Sequence, residues 1–391
     1  MKRKITMFCL AGLALFNPST AQTKPIAAGD HEFTIKIGDS MRHYTIHVPP
    51  RYGGTTPLPV VVMLHGGGGT GKAAATETGW SAKADEAGFL VVFPDAMPPD
   101  PTRPSSFARN PQLWNDGSER FFAGQNNVDD VGFLKAMLDD LSAKFNVDAR
   151  LVFVTGFSNG ASMAFRVGAE LSRCVAAIAP VAGACWLEPL KLERPVPMCY
   201  ITGTADPLNL IEGGVPKLLT GRGDKIRAKP KPPVSDSILK WAKALGCPAI
   251  PKETSETNGV RIETYGPGNN EAEVIYIAVE GLGHTWAGGK SLLPEFMVGK
   301  RSNKINATDV IWNFFLKHTP TTRGTGMAIS GKTDLDEDGE RAGKNLDPLE
   351  ARSAAGAGLV GLDQLTHVEA FVRAALDDLL IKPLVHLRCP A

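Results

Sequence analysis

The feature that most constrains the fold is a series of apolar runs that alternate with helical patterns. Six largely apolar runs are bounded by turn residues: Pro59 to Leu64, Phe89 to Phe93, Leu151 to Thr155, Val175 to Pro180, Val196 to Thr202 and Val274 to Val279. Such runs suit the interior of a mostly parallel sheet, because both faces of that sheet are covered. Helical periodicity lies between or after them, at Asp129 to Phe145, Ser158 to Leu171, Ser235 to Leu245 and Thr308 to His318. The alternation predicts a doubly wound α/β domain over residues 28–319.

Outside this alternation lie a hairpin, two long loops and a tail. His31 to Ile37 and His43 to Val48 alternate around Gly38-Asp39-Ser40, which predicts an antiparallel hairpin. Residues 98–127 and 208–233 are loops that follow strands, where α/β proteins build substrate sites; whether the second is a lid stays open. Strand signals vanish after Pro320, so we expect residues 320–391 to be a C-terminal appendage.

Composition and charge narrow the class of protein. The 391 residues carry 42 Lys and Arg against 41 Asp and Glu, a net charge of +1, and 43% are hydrophobic. A nearly neutral chain lacks the basic surface that supplies most affinity for nucleic acids or anionic membranes. The hydrophobic fraction fits an ordinary globular protein with a large core, and it excludes a disordered chain or a dense disulfide scaffold.

The first 21 residues have the order of a secretory signal peptide. Lys2-Arg3-Lys4 is followed by an apolar stretch from Ile5 to Phe16 and by the small residues Ser19-Thr20-Ala21. This order predicts cleavage after Ala21 and a secreted protein, although a buried N-terminal helix is the alternative. Cleavage would remove three positive charges and leave a net charge of −2. Five cysteines would then remain, an odd number with no readable pairing: Cys174, Cys185, Cys199, Cys247 and Cys389.

The strongest chemical signal is a G-x-S-x-G motif between a predicted strand and a predicted helix. Gly156-Phe157-Ser158-Asn159-Gly160 places Ser158 on a sharp turn, where a side chain at either flanking glycine would crowd it. The helix that follows adds the positive end of its dipole, which favours a developing oxyanion. The pattern alone also occurs in ordinary turns, but the strand-turn-helix context identifies Ser158 as a candidate nucleophile.

A serine nucleophile needs a general base and an acid that orients it. Among eight histidines, His284 lies in Gly281-Leu282-Gly283-His284-Thr285-Trp286, just after the last core strand, whereas the others lie in the hairpin, the glycine loop, a helix end or the tail. Asp206 follows the strand ending at Thr202, although a turn aspartate before proline is the simpler alternative. The order Ser158, Asp206, His284 is the one expected of α/β-hydrolases. Asp129 and Asp130 are expected to cap a helix rather than to act in catalysis.

A glycine-rich loop after the first parallel strand has two interpretations. As an oxyanion loop, His65 to Gly69 would present the amides of Gly66 and Gly67 beside that of Asn159. As a phosphate-binding loop, Gly66, Gly71 and Lys72 fit G-x-x-x-x-G-K. The next residue must then be Ser or Thr to hold magnesium, and it is Ala73. We therefore favour the oxyanion loop.

These residues together resemble a known family. The segments that carry the likeness are Leu64-His65-Gly66-Gly67-Gly68-Gly69, Trp114-Asn115-Asp116, Val128-Asp129-Asp130-Val131-Gly132-Phe133, Gly156-Phe157-Ser158-Asn159-Gly160 and Gly283-His284-Thr285-Trp286-Ala287-Gly288-Gly289. Over residues 30–319 the chain is similar to the secreted polyhydroxybutyrate depolymerase and feruloyl or acetylxylan esterase family of α/β-hydrolases. The resemblance implies an α/β-hydrolase fold and a serine esterase with Ser158, Asp206 and His284 as its triad. The chain departs from the family at Ala287, often proline, and at Tyr265 to Gly268, which lack a cysteine that would pair with Cys247.

The expected substrate is an ester, and no metal or organic cofactor is required by this chemistry. Trp114 and Trp286 are candidate substrate-binding walls for a feruloyl ring or an apolar polyester, although both would also suit packing at the loop bases. In the tail, Asp334, Asp336 and Asp338 alternate as in calcium loops, but the bidentate ligand is missing, and a solvated acidic turn is the simpler interpretation.

The sequence therefore predicts a secreted serine esterase that cleaves feruloyl or acetyl esters of plant polysaccharide. Depolymerisation of polyhydroxybutyrate is the alternative substrate class. Two further candidates are a non-catalytic binding protein with a hydrolase fold and an amidase, because the triad chemistry does not distinguish an amide from an ester.

Overall fold

The computed structural model describes residues 26–216 and 229–319 and contains one ten-stranded sheet. The proposed signal peptide, the calcium-like loop and the appendage lie outside the described residues, as do residues 217–228 of the second long loop. Strand order across the sheet is β1-β2-β4-β3-β5-β6-β7-β10-β9-β8. The strands are β1 Gly29–Ile37, β2 Ser40–Val48, β3 Leu58–Leu64, β4 Leu90–Pro94, β5 Val147–Phe157, β6 Ala177–Val181, β7 Met198–Gly203, β8 Glu253–Thr257, β9 Val260–Tyr265 and β10 Val274–Val279.

The six central strands, from β4 across to β10, are parallel, and an antiparallel hairpin flanks them on each side. The central strands are almost continuously buried, as their uninterrupted apolar runs predict. The predicted N-terminal hairpin is confirmed, with Ile37 opposite Ser40 across its turn. The second hairpin, β8–β9, was not predicted, because Glu253–Thr257 is entirely exposed and has no apolar alternation.

Helices cover both faces of the sheet and divide the core into two clusters. They are α1 Gly71–Thr78, α2 Trp80–Ala87, α3 Phe122–Gln125, α4 Asp130–Lys144, α5 Asn159–Glu170, α6 Val234–Leu245, α7 Glu295–Val298 and α8 Ala307–Lys317. On one face, α4, α5 and α6 pack on side chains such as Val60, Val62 and Leu64. On the other, α1, α2 and α8 pack on the alternate side chains Val61 and Met63. This two-faced arrangement is the predicted doubly wound α/β-hydrolase fold.

The described cysteines pack as thiols. Cys174, Cys185, Cys199 and Cys247 are unbridged, and burial raises the pKa of Cys185 to about 11 and that of Cys199 to about 12. The sulfur of Cys247 lies against Gly268, where a Cβ would approach it to 2.8 Å. Cys247 therefore packs as a thiol against a glycine.

Candidate active site

Ser158 sits on a strained turn between β5 and α5. Its φ of 56° lies in the left-handed region, which is uncommon for a residue with a side chain. A Cβ at Gly156 would stand 2.3 Å from the carbonyl oxygen of Gly160, and a Cβ at Gly160 would stand 2.2 Å from that of Leu64. The turn therefore requires both glycines of the motif. The Ser158 amide donates to Val181 O at 2.9 Å and so fixes the turn to the end of β6.

His284 and Asp206, from two different loops, meet in a buried hydrogen bond. His284 Nδ1 lies 2.8 Å from Asp206 Oδ2, and the two residues are 6% and 5% exposed. Asp206 Oδ1 accepts from the amides of Leu208 and Asn209 at 2.8 and 2.7 Å. Burial acts to raise the pKa of Asp206, but the charge of His284 and these hydrogen bonds outweigh it and lower the pKa. Asp206 is thus held as a carboxylate with His284 oriented by it.

The histidine ring is also positioned by packing at its own loop. The His284 amide donates to Val298 O at 2.5 Å, and its ring lies 4.8 Å from that of Phe157, the residue before Ser158. Among the described residues, the Ser158 hydroxyl makes no hydrogen bond, and the ring of Phe157 links the serine turn to His284. Hydrogen bonds between catalytic groups are often long or poorly aligned without substrate and tighten only when it is bound.

The glycine loop presents free amides next to Ser158. A Cβ at Gly66 would stand 3.6 Å from Ser158 Cβ, so the loop backbone directly faces the serine. The Gly68 and Gly69 amides donate to Gln112 O and Gly66 O, whereas within residues 26–216 and 229–319 the amides of Gly66 and Gly67 have no acceptor. The amide of Asn159, at the first position of α5, is likewise unpaired there. Gly66 lies against Ser158 and Gly67 against Asn159, so three amides without an acceptor among the described residues lie close to the serine turn.

His65 holds this loop and is not itself a base. Its Nε2 accepts from the amide of Ala96 at 3.0 Å, and its Nδ1 donates to Gly66 O at 2.8 Å. Burial lowers the pKa of His65, which keeps the ring neutral and able to make both bonds. The ring packs 5.0 Å from the Trp114 ring, whose Nε1 donates to His65 O at 3.0 Å.

Trp114 has a packing position, which corrects the prediction that it forms a substrate wall. Its side chain is completely buried, and its backbone amide donates to Asn159 Oδ1 at 2.7 Å. Asn159 Nδ2 in turn donates to Asp116 Oδ2 at 2.9 Å. The segment Trp114-Asn115-Asp116 is thus a brace for the residue after the nucleophile. Trp80, Trp241 and Trp312 also lie in the core.

Asp130 corrects the prediction that both adjacent aspartates cap α4. Asp129 is the N-cap and accepts from the Gly132 amide at 2.8 Å. Asp130 instead makes a fully buried ion pair with Arg42 at 2.6 Å and accepts from the Asn115 amide at 2.7 Å. It therefore ties the Trp114 brace to the N-terminal hairpin, a contact over 88 positions that no local pattern signals.

A small cavity of about 30 Å³ adjoins His284 and Gly66. Trp286 lines it, although its indole N–H is already bonded to Thr308 Oγ1 at 3.0 Å. Its polar lining includes Thr285 and Glu77, neither of which was predicted. The Thr285 hydroxyl is buried with no partner, and Glu77 accepts from the Leu292 amide at 3.1 Å, while burial raises the Glu77 pKa. The cavity is apolar with polar positions close to the base.

A second unpredicted group of polar side chains surrounds Lys231, which is 6% exposed. Lys231 Nζ donates to Gly183 O at 3.3 Å. Burial and, to a smaller extent, the nearby charge of Arg120 together lower the pKa of Lys231 to about 7, against the opposing effect of the carboxylates of Asp206 and Asp116. Arg120 stacks its guanidinium 4.3 Å from the Trp186 ring. Neither basic residue belongs to a motif, so no sequence signal singles them out.

A family model and several known proteins match the chain that carries this site. The family model described as "Putative esterase" matches residues 36–186, which include the glycine loop and the serine turn. Over these residues the chain is similar to that esterase family. Similar proteins include "Putative esterase NocK" of Nocardia uniformis subsp. tsuyamanensis, 27% identical over 76% of the chain and 91% of the relative. Feruloyl esterase B of Piromyces equi is 26% identical over 64% of the chain, and poly(3-hydroxyalkanoate) depolymerase C of Paucimonas lemoignei 25% identical over 61%.

The chain spans 44% of the length of that feruloyl esterase and 57% of that of the depolymerase. Its similarity to the esterase family model and to proteins named as feruloyl esterases, an acetylxylan esterase and a polyhydroxyalkanoate depolymerase supports a carboxylic-ester hydrolase. Across residues 26–216 and 229–319, no three His, Cys, Asp or Glu side chains are placed to hold a metal ion. In the same residues no helix has the length and apolar character needed to cross a membrane.

Proposed function

We propose that the protein is a serine esterase with Ser158 as nucleophile, His284 as general base and Asp206 as the acid that orients it. The observation that carries the proposal is the buried 2.8 Å bond between His284 Nδ1 and Asp206 Oδ2, next to a strained serine. A carboxylate on Nδ1 leaves Nε2 to take the serine proton and stabilises the imidazolium that results. Strain at Ser158 supports the same role, because it keeps the hydroxyl turned out of the core.

The chemistry proceeds in two halves. Ser158 Oγ attacks the ester carbonyl carbon as His284 Nε2 takes its proton, and the carbonyl oxygen becomes an oxyanion bound by the amides of Asn159, Gly66 and Gly67. The tetrahedral intermediate collapses, the C–O bond to the alcohol breaks, and His284 returns the proton to the leaving oxygen. Water then attacks the acyl-enzyme with His284 again as base, which releases the acid and restores Ser158.

The proposed acyl group is short. The cavity beside His284 and Gly66, about 30 Å³, is well below the roughly 150 Å³ that holds a benzene ring, and the buried Trp114 offers no wall to a feruloyl ring. Between the two ester types on plant polysaccharide, these dimensions favour acetyl over feruloyl. Hydroxybutyryl esters are the second candidate, because the Thr285 hydroxyl and the Glu77 carboxyl can bond to the substrate hydroxyl.

A fluorophosphonate probe tests the nucleophile and separates an esterase from a binding protein. We expect the probe to label the wild type and the S142A variant, whose serine lies exposed on α4, and to leave S158A unlabelled. Turnover of 4-nitrophenyl acetate should vanish in S158A alone. Labelling of S158A would overturn the assignment. Hydrolysis of 4-nitroacetanilide at a rate similar to that of the acetate ester would favour an amidase.

We further propose that the protein is secreted after cleavage following Ala21, that residues 28–319 form the catalytic domain and that residues 320–391 form an appendage. Support comes from the order of charged, apolar and small residues at the start of the chain. Mass spectrometry of the protein recovered from its native host should show Gln22 as the first residue. Recovery of intact Met1 from the cell interior would refute export.

A further inference from the structure

Three nitrogen donors around Lys231 are incompletely paired. Arg120 Nε and Trp186 Nε1 are buried without a hydrogen-bond partner. Among the described residues, Lys231 Nζ, which can donate up to three hydrogen bonds, has one neutral acceptor, Gly183 O, at 3.3 Å, and this oxygen also accepts from Tyr200 at 2.6 Å. Unpaired buried donors cost free energy, and two cations close enough to repel one another add to that cost.

The carboxylates nearby are already engaged. Asp116 accepts from the Ser118 amide and from Asn159 Nδ2, both at 2.9 Å, and lies 3.5 Å from Arg120. The Asp206 carboxylate already accepts hydrogen bonds from His284 and from two backbone amides. The group around Lys231 therefore has more donors and positive charge than the acceptors beside it satisfy. Such a group suits an added oxyanion, which accepts several N–H bonds at once.

Both ends of this group contact the residues around Ser158. Gly183, the acceptor of Lys231, packs so closely that an added Cβ would stand 2.8 Å from Ser158 O. Asp116, the partner of Arg120, bonds the side chain of Asn159. Gly183 and Asp116 therefore connect this group to the backbone of Ser158 and to the side chain of Asn159.

We propose that Arg120, Lys231 and the indole N–H of Trp186 form a subsite for a carboxylate carried by the ester substrate. The subsite rests on the proposed function, since it recognises a substrate of that same site. The carboxylate belongs either to the acyl part or to the alcohol part of the ester. It would bond the planar guanidinium and the ammonium together, and so offset their repulsion.

Matched ester pairs test the subsite. The acyl-side pair is 4-nitrophenyl glutarate against 4-nitrophenyl valerate, and the alcohol-side pair is 3-acetoxybenzoate against 3-acetoxybenzamide. For each pair we compare the ratio of kcat/KM, charged to neutral, in the wild type, K231M and R120Q. The ratio cancels any general loss of activity. K135M removes one charge from a lysine that is 57% exposed on α4, and serves as the control.

We expect the ratio to fall at least tenfold, about 1.4 kcal/mol, in K231M and R120Q for one of the two pairs, and to stay unchanged in K135M. The pair that responds identifies which part of the substrate carries the carboxylate. Unchanged ratios in both pairs would overturn the subsite while leaving the esterase assignment intact. If the wild type cleaves none of the neutral esters and escapes fluorophosphonate, the proposed function itself fails.

Inhibition of the wild type covers the case in which the variants do not fold. Glutarate should compete with 4-nitrophenyl acetate at least tenfold more strongly than glutaramide does. Equal inhibition by the two compounds would contradict the subsite.

Discussion

Arg42→Met should destabilise the protein in a manner that depends on pH. Arg42 and Asp130 are 3% and 0% exposed, and their 2.6 Å contact is supplemented by the guanidinium lying 4.0 Å over the Phe133 ring. Methionine keeps much of the apolar contact with Phe133 but leaves the carboxylate of Asp130 with only the Asn115 amide. Breaking a buried ion pair by removing one partner costs about 3–5 kcal/mol, which is a large part of the stability of a typical domain.

The pH dependence follows from the direction of the Asp130 pKa. Burial raises this pKa above its unfolded value even beside Arg42, and removal of the cation raises it further. A carboxyl group with a raised pKa binds its proton more tightly in the folded state, so the folded state gains stability as the pH falls through that pKa. The loss of folding stability in R42M should therefore become smaller as the pH falls from 7 to 5, by up to about 1.4 kcal/mol per pH unit.

Urea unfolding at pH 7 and pH 5 measures both quantities. R150M is the control, since Arg150 is 61% exposed and its pair with Asp148 lies on the surface. The double variant R42M/D130N should lose the pH slope, because it has no carboxyl group left to titrate. If the R42M substitution lowers the free energy of unfolding by the same amount at pH 7 and at pH 5, the reasoning is refuted. A loss of stability below about 1 kcal/mol, the size expected of a surface pair, would refute it as well.

Three further predictions concern the proposed site. Gly156→Ala should lower the free energy of unfolding by about 1–3 kcal/mol, because the added Cβ would stand 2.3 Å from Gly160 O. The control G53A, where the nearest atom to the added Cβ is 3.9 Å away, should leave the free energy unchanged in the same urea assay. Asp206→Asn should reduce kcat by about 10⁴ with an unchanged circular-dichroism spectrum; a loss below tenfold would count against the triad. Trp114→Phe should lower the free energy of unfolding by about 1 kcal/mol, because it removes the hydrogen bond to His65 O. It should slow the hydrolysis of acetyl and feruloyl esters by the same factor. A change in the ratio of these two rates would indicate that Trp114 contacts the substrate after all.

The parts of the fold that the sequence predicts are those set by neighbours along the chain. The central strands are recognisable because both of their faces are apolar, and the N-terminal hairpin is recognisable from its alternation. The turn at Ser158 depends on glycines two residues away on each side, so the motif contains the geometric requirement. The positions of Asp206 and His284 follow from the ends of two predicted strands, which parallel topology brings to one edge of the sheet.

The parts that the sequence does not predict depend on contacts between distant residues. The outer hairpin β8–β9 is held by pairing to β10 and has polar, exposed side chains in Glu253–Thr257, so no burial pattern marks it. Trp114 has the same local context whether it faces solvent or core. Its position is fixed in part by Asn159, which is 45 positions away and bonds both the amide and the carbonyl of Trp114.

The long loop over residues 98–127 shows why buried polar residues are hard to predict from sequence. Asn110 donates to three loop carbonyls, those of Asp100, Arg103 and Pro104, and accepts from the Asp100 amide. These side chains satisfy backbone groups that a helix or strand would pair internally. A loop built in this way is ordered by its buried amides and carboxylates instead of by an apolar face. In the same loop, the buried carboxylate of Asp116 accepts from Asn159 Nδ2, so a polar side chain that suggests solvated surface in the sequence instead helps to position the residue after Ser158.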